Sequence, residues 1–131
     1  MTNAWLGAAS GLLFVVSLAH SVLGEAMMFR RVRGAAWLQA DTGRRLGRGH
    51  LGILWATWHG LTALGWGIAA VFAWLARLSP AARAPMGFID DALAAALAAV
   101  ALLVLLGTRG RHPGWVGLLA TAVLAWLGRD A

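Results

Sequence analysis

The chain has 131 residues, 60% of them hydrophobic and only 12% charged, and its formal net charge is +6. So little polar surface does not cover a soluble globule of this length, and composition points to a membrane protein. With no cysteine in the chain, disulfides, thiolate metal sites and thiol catalysis are excluded.

Four apolar stretches follow, at about 4–29, 51–75, 88–107 and 113–128, and a bilayer span needs roughly 20 residues. The expectation is a single all-α transmembrane domain over residues 1–131, folded as an integral membrane antiparallel four-helix bundle. The opening MTNAWLGAAS has no basic residue, so the first stretch is expected to stay in the mature protein as a span. It carries small residues at Gly7, Ser10, Ser17, Ser21 and Gly24. It then reaches LAHSVLGEAMMFRRVRG, which holds His20 and the chain's single glutamate, Glu25.

All 11 basic residues are arginines. Arg30, Arg31, Arg33, Arg44, Arg45 and Arg48 crowd the first connection, with a short interfacial helix expected over 35–40. That bias places the 30–48 connection in the cytoplasm and both termini outside. The second stretch holds His50, Trp55, Trp58, His59, Thr62 and Trp66, and a stripe of Gly52, Ala56, Gly60, Ala63, Gly67 and Ala70 that predicts close helix contact. The third begins at Asp90 and Asp91, which suit a helix N-terminus, and has an alanine face of Ala92, Ala95 and Ala99. The fourth is short and follows TRGRHPGW, where Gly110 and Pro113 predict a tight turn. Gly117 and Thr121 supply its small residues, and a re-entrant pair is the alternative to the last two spans.

Of eight tryptophans, Trp5, Trp74 and Trp126 map to the outer interface and Trp37 and Trp115 to the inner one, an aromatic belt. The arginines sit in juxtamembrane loops, where topology and anionic lipid account for them, so nucleic-acid binding is not expected despite a pI near 11.9.

His20 lies ten residues before Arg30 and His59 eleven after Arg48, so two antiparallel helices bring them to matched depth, roughly 15 Å from their anchors. Trp55, Thr62 and Trp66 share a face with His59 and can bound a cavity for a ligand. Glu25, about 140° around the helix from His20, is expected in a shallower cytoplasmic cluster with Arg109, His112 and His50. Both histidines can equally serve as interhelical packing bonds, Glu25 as the partner of a headgroup-level arginine, and the tryptophans as bulk.

Three classes of function remain open. Cofactor or ligand binding would place haem b, a quinone or a metal ion at His20 and His59. An accessory role would make the chain an assembly subunit of a larger membrane complex or a homo-oligomer. Proton-coupled solute transport would use His20, His59 and Glu25 as a relay. No complete enzymatic motif is visible: HSVLGE is not HExxH, and DTGRRLGRG lacks the order of a phosphate loop. HSVLGE, TWHGLT and RGRHPGW together resemble a group of short four-span bacterial membrane proteins. The resemblance implies the span count and a bacterial inner-membrane location; it carries no activity and no functional residue.

Overall fold

The computed structural model describes residues 2–34 and 48–129. The regular structure among them is entirely helical. Helix α1 runs Ala4–Leu23 and continues through a wide turn, Gly24–Phe29, into Arg30–Gly34. Helix α2 is Arg48–Leu75, α3 is Gly87–Gly107 and α4 is Gly114–Gly128, with short helical turns at Pro80–Arg83 and Ala84–Met86 before α3. The 35–40 segment and Trp37 lie outside the described residues. Three helical stretches, Ala4–Val32, Leu51–Leu75 and Pro80–Gly107, are long and apolar enough to cross a membrane, and α4 is a shorter apolar helix.

Helix α1 is central, packing against α2 on one side and α4 on the other, while α3 packs against α4. The directions follow from side chains that meet. Ser10 donates to the Ala69 carbonyl (2.7 Å) and Ser21 bonds His59 farther along, so α1 and α2 are antiparallel. Val16 lies against Gly117 and Leu6 against Gly128, which makes α1 and α4 antiparallel as well.

The apolar core fills one end of this bundle. Leu6, Ala9 and Leu13 of α1 meet Ala69, Phe72 and Leu75 of α2, Ala94 and Leu97 of α3, and Ala122 and Ala125 of α4. Asn3 ties that end together. Its Oδ1 accepts from the Leu6 N–H (3.0 Å), its Nδ2 donates to the Gly128 carbonyl (2.6 Å), and its backbone N–H donates to the Ala76 carbonyl (2.8 Å). One N-cap residue thus satisfies open groups at the ends of three helices. Outside this core, Phe88, Leu103, Ile53 and Leu64 are all more than two-thirds exposed. Only 22% of each long apolar window is buried, the surface expected of helices whose outer faces meet lipid.

Two packing expectations are corrected. The α2 stripe of Gly52, Ala56, Gly60, Ala63, Gly67 and Ala70 faces outward, and a Cβ at Gly52, Gly60 or Gly67 would touch nothing within 4 Å. The glycine in close contact on α2 is Gly65, which faces the Ser17 side chain. Ala92, Ala95 and Ala99 of α3 are likewise exposed, and Asp90, Ala94, Leu97 and Ala101 face inward instead. Small residues occupy two faces of each helix, and spacing alone does not say which face meets a neighbour. On α1 the set divides: Ser10, Ser17, Ser21 and Gly24 all meet α2, whereas Gly7 is exposed and a Cβ there would touch nothing within 4 Å.

The acidic pair at the start of α3 does not cap it. Met86 holds the N-cap position without a side-chain bond. Asp90 is 1% exposed, within electrostatic reach of the buried Arg83, and neither carboxyl oxygen has a hydrogen-bond partner among the described residues. Asp91 instead pairs with Arg129 at 3.2 Å. Trp5, Trp74 and Trp126 are about half exposed at this same end of the molecule.

Candidate functional site

At the opposite end α1 and α2 carry polar and aromatic groups. His59 is held from two sides by α1: its Nδ1 lies 2.5 Å from Ser21 Oγ, and its Nε2 lies 3.7 Å from Glu25 Oε2. Trp55, one turn before His59, donates its indole N–H to the same Glu25 oxygen at 3.1 Å and packs its ring against the imidazole, centroids 4.7 Å apart. Phe29 closes the group, its ring tilted against His59 and edge-on to Trp58.

Trp58 occupies the neighbouring position on the seam. Its indole lies over Gly24, where a Cβ would overlap it, and its N–H donates to the His20 carbonyl at 3.1 Å. The His20 ring stacks on the indole, centroids 4.2 Å apart and planes 11° apart. Just beyond, the backbone of α1 widens, with the Arg30 N–H bonded to the Glu25 carbonyl five residues back. Such wide turns recur at functional positions.

Among the described residues Glu25 joins the group around His59, which was expected in a separate, deeper layer. Glu25 meets Trp55 and His59; neither Arg109 nor His112 pairs with it among the described residues. The reason is side-chain direction. In any α-helix the Cα–Cβ bond leans toward that helix's own N-terminus. In antiparallel α1 and α2 this tilts Glu25 back toward the bundle centre and His59 out toward Glu25, and it closes a gap that Cα depth alone leaves open. His20 and His59 do sit at one level, but they turn to different partners, His20 to Trp58 and His59 to Ser21 and Glu25. His112, from the turn before α4, comes within electrostatic reach of His20. Its Nδ1 accepts from the Gly114 N–H at 3.1 Å.

Of the other expected residues, Trp66 and Arg109 lie apart from this cluster. Trp66 stacks on Phe14 at 5.6 Å, farther toward the core. Thr62 is 3% exposed on the His59 face of α2. Arg109 is exposed in the α3–α4 turn, and His50 lies in the first turn of α2. Ser21, Trp58 and Phe29 belong to the site and were not assigned to it from the sequence. The signal for Ser21 was present, since it stands four residues before Glu25 and therefore shares its face.

The electrostatic balance of the site is incomplete. His20 Nε2, His59 Nε2 and Thr62 Oγ1 are buried and have no hydrogen-bond partner among the described residues. An unmet buried polar group costs about 1–3 kcal/mol. Such groups in a membrane usually face a ligand, a polar path or a partner. Among the described residues no group of three or more His, Asp or Glu side chains comes together to hold a metal ion.

Compared with known protein families, curated proteins and solved structures, the chain matches none.

Proposed function

We propose that the chain is a four-span protein of the bacterial inner membrane, with both termini outside, whose cytoplasmic half binds a lipid-soluble ligand at the α1–α2 seam. The ligand class that suits the site is a quinone or a similar ring bearing carbonyl or hydroxyl groups. The observation that carries this reading is the group of unmet polar atoms, His20 Nε2, His59 Nε2 and Thr62 Oγ1, beside Glu25 and two indoles. When Ser21 donates to His59 Nδ1, the imidazole keeps its proton on Nε2, and that N–H is a donor for a ligand carbonyl. At 3.7 Å from Nε2, the Glu25 carboxylate is near enough to favour that tautomer and too far to form a full hydrogen bond.

Haem b is the weaker version. It would have to part α1 from α2, where Ser17 meets Gly65 and Trp58 lies over Gly24. A flat quinone ring is far smaller than a haem and needs only side-chain movement at the edge of the seam to reach the covered nitrogens. The test is lipid extraction from gently purified protein: near-stoichiometric quinone in the wild type, and little in His59→Ala, is the expected result. Quinone absent from the wild type, or equally abundant in the variant, would reject the reading.

The outward-facing small residues of α2 favour a second reading, an assembly subunit that packs against another membrane chain. In that case His59→Ala changes stability or recovery of a complex and no ligand content.

A further inference from the structure

The α3–α4 turn carries an arginine where the backbone asks for glycine. Helix α3 ends with the Gly110 N–H bonded to the Leu105 carbonyl (2.8 Å) and the Arg109 N–H to the Leu106 carbonyl (3.2 Å), a paired C-terminal closure. This closure needs left-handed backbone, and two successive residues supply it, Arg109 at φ 52° and Gly110 at φ 75°. Glycine takes that conformation freely, whereas a side chain strains it. Thr108 caps the last turn through its Oγ1 to the Val104 carbonyl (2.6 Å), and the Trp115 indole donates to the Gly110 carbonyl (3.4 Å), so the turn is held without the Arg109 side chain. Positive charge for topology is available from Arg111 two residues on, and it does not require a left-handed position. The turn and topology thus leave the choice of arginine at position 109 unexplained.

Position indicates a use for it. The pairing of Val16 with Gly117 and Leu6 with Gly128 brings this turn level with His20, and Arg30 stands ten residues farther along α1, roughly 15 Å beyond it. The short α3–α4 hairpin is thus a recessed step beside the longer α1–α2 pair. With Arg30 and Arg31 exposed above it, the exposed Arg109 and Arg111 on the step lie below the headgroup level those arginines mark, where a charged side chain needs a counter-charge and a lipid phosphate drawn in beside the short hairpin supplies it. We infer that the 108–112 turn is a docking site for the phosphate of an anionic lipid headgroup, with Arg109 and Arg111 as its donors. This rests on the membrane placement proposed above and is independent of any ligand at His59.

The test uses detergent-purified full-length protein mixed with phosphatidylglycerol or phosphatidylcholine, with retained lipid counted by native mass spectrometry and inorganic phosphate added as a competitor. Wild type should retain phosphatidylglycerol in preference to phosphatidylcholine. Arg109→Gln and Arg109→Gly should each lower that retention about fivefold, and Arg109→Lys should keep most of it. Arg109→Gly should also melt above wild type, which separates lost binding from lost folding. Unchanged retention in Arg109→Gln and Arg109→Gly would overturn the proposal and leave the arginine with topology alone. Inorganic phosphate retained by the wild type, with phosphatidylglycerol held no better than phosphatidylcholine, would overturn the lipid assignment and make free phosphate the ligand. Recovery of Arg109→Gln from the membrane fraction tells a failure of docking apart from a failure of membrane placement.

Discussion

The two ends of the bundle solve different problems with the same four helices. At the end defined by Asn3, Leu6, Phe72, Leu97 and Ala125, side chains from all four helices interlock and Asn3 satisfies backbone groups at the ends of three of them. At the end defined by Ser21, Glu25, Trp55, Trp58 and His59, only α1 and α2 supply the main contacts, and buried polar atoms stay unmet. Dispersion and close packing stabilise the first end, since lipid supplies no hydrophobic drive for helices to associate. The second end is less fully satisfied, and the proposed ligand would supply what its polar atoms lack.

The largest effect should come from hollowing the packed end. Phe72→Ala opens a cavity at a fully buried ring, and thermal melting in detergent should show a loss of about 3 kcal/mol with ligand content unchanged. Next in size, Gly24→Ala and Gly65→Ala put a methyl group onto Trp58 and Ser17 and should cost about 1–3 kcal/mol. Gly60→Ala and Gly67→Ala, which point into open space, should instead stabilise the same helix by up to about 1 kcal/mol. If the three α2 alanines, at 60, 65 and 67, behaved alike, the assignment of α2 faces would be wrong. Asn3→Ala should cost about 1–2 kcal/mol and leave the polar end intact, which melting with and without ligand can read. The smallest stability change belongs to Glu25→Gln. It keeps a carbonyl for the Trp55 indole, and its effect should fall on ligand retention rather than on melting.

Much of the helical frame was legible in the chain. Apolar stretches read at about 4–29, 51–75, 88–107 and 113–128 lie close to the limits of α1 to α4. The relative level of His20 and His59 was legible too, because a rise of about 1.5 Å per residue along two antiparallel helices brings them side by side. Rotation was not. The α2 and α3 helices are small or apolar on nearly every side, so periodicity did not separate Gly65 from Gly60 or Ala94 from Ala95. Within the site, His59 and Trp55 stood out as polar-capable groups in an apolar run, whereas Ser21 looked like one more small residue. The contacts of Glu25 with Trp55 and His59 were not read, because its reach depends on the lean of its side chain and on its neighbour's direction. The buried Asp90 beside Arg83 went unread for a related reason: a carboxylate at a helix start looks like a cap until its exposure is known.

The central claim is that the polar end takes a lipid-soluble ligand through His59, and ligand-dependent melting tests it most directly. A ligand that binds only the folded protein raises its melting temperature as concentration rises. Wild type titrated with a short-chain benzoquinone should show that rise, and His59→Ala, still folded through its intact core, should show none. A flat response in wild type, or an equal rise in both proteins, would contradict the account.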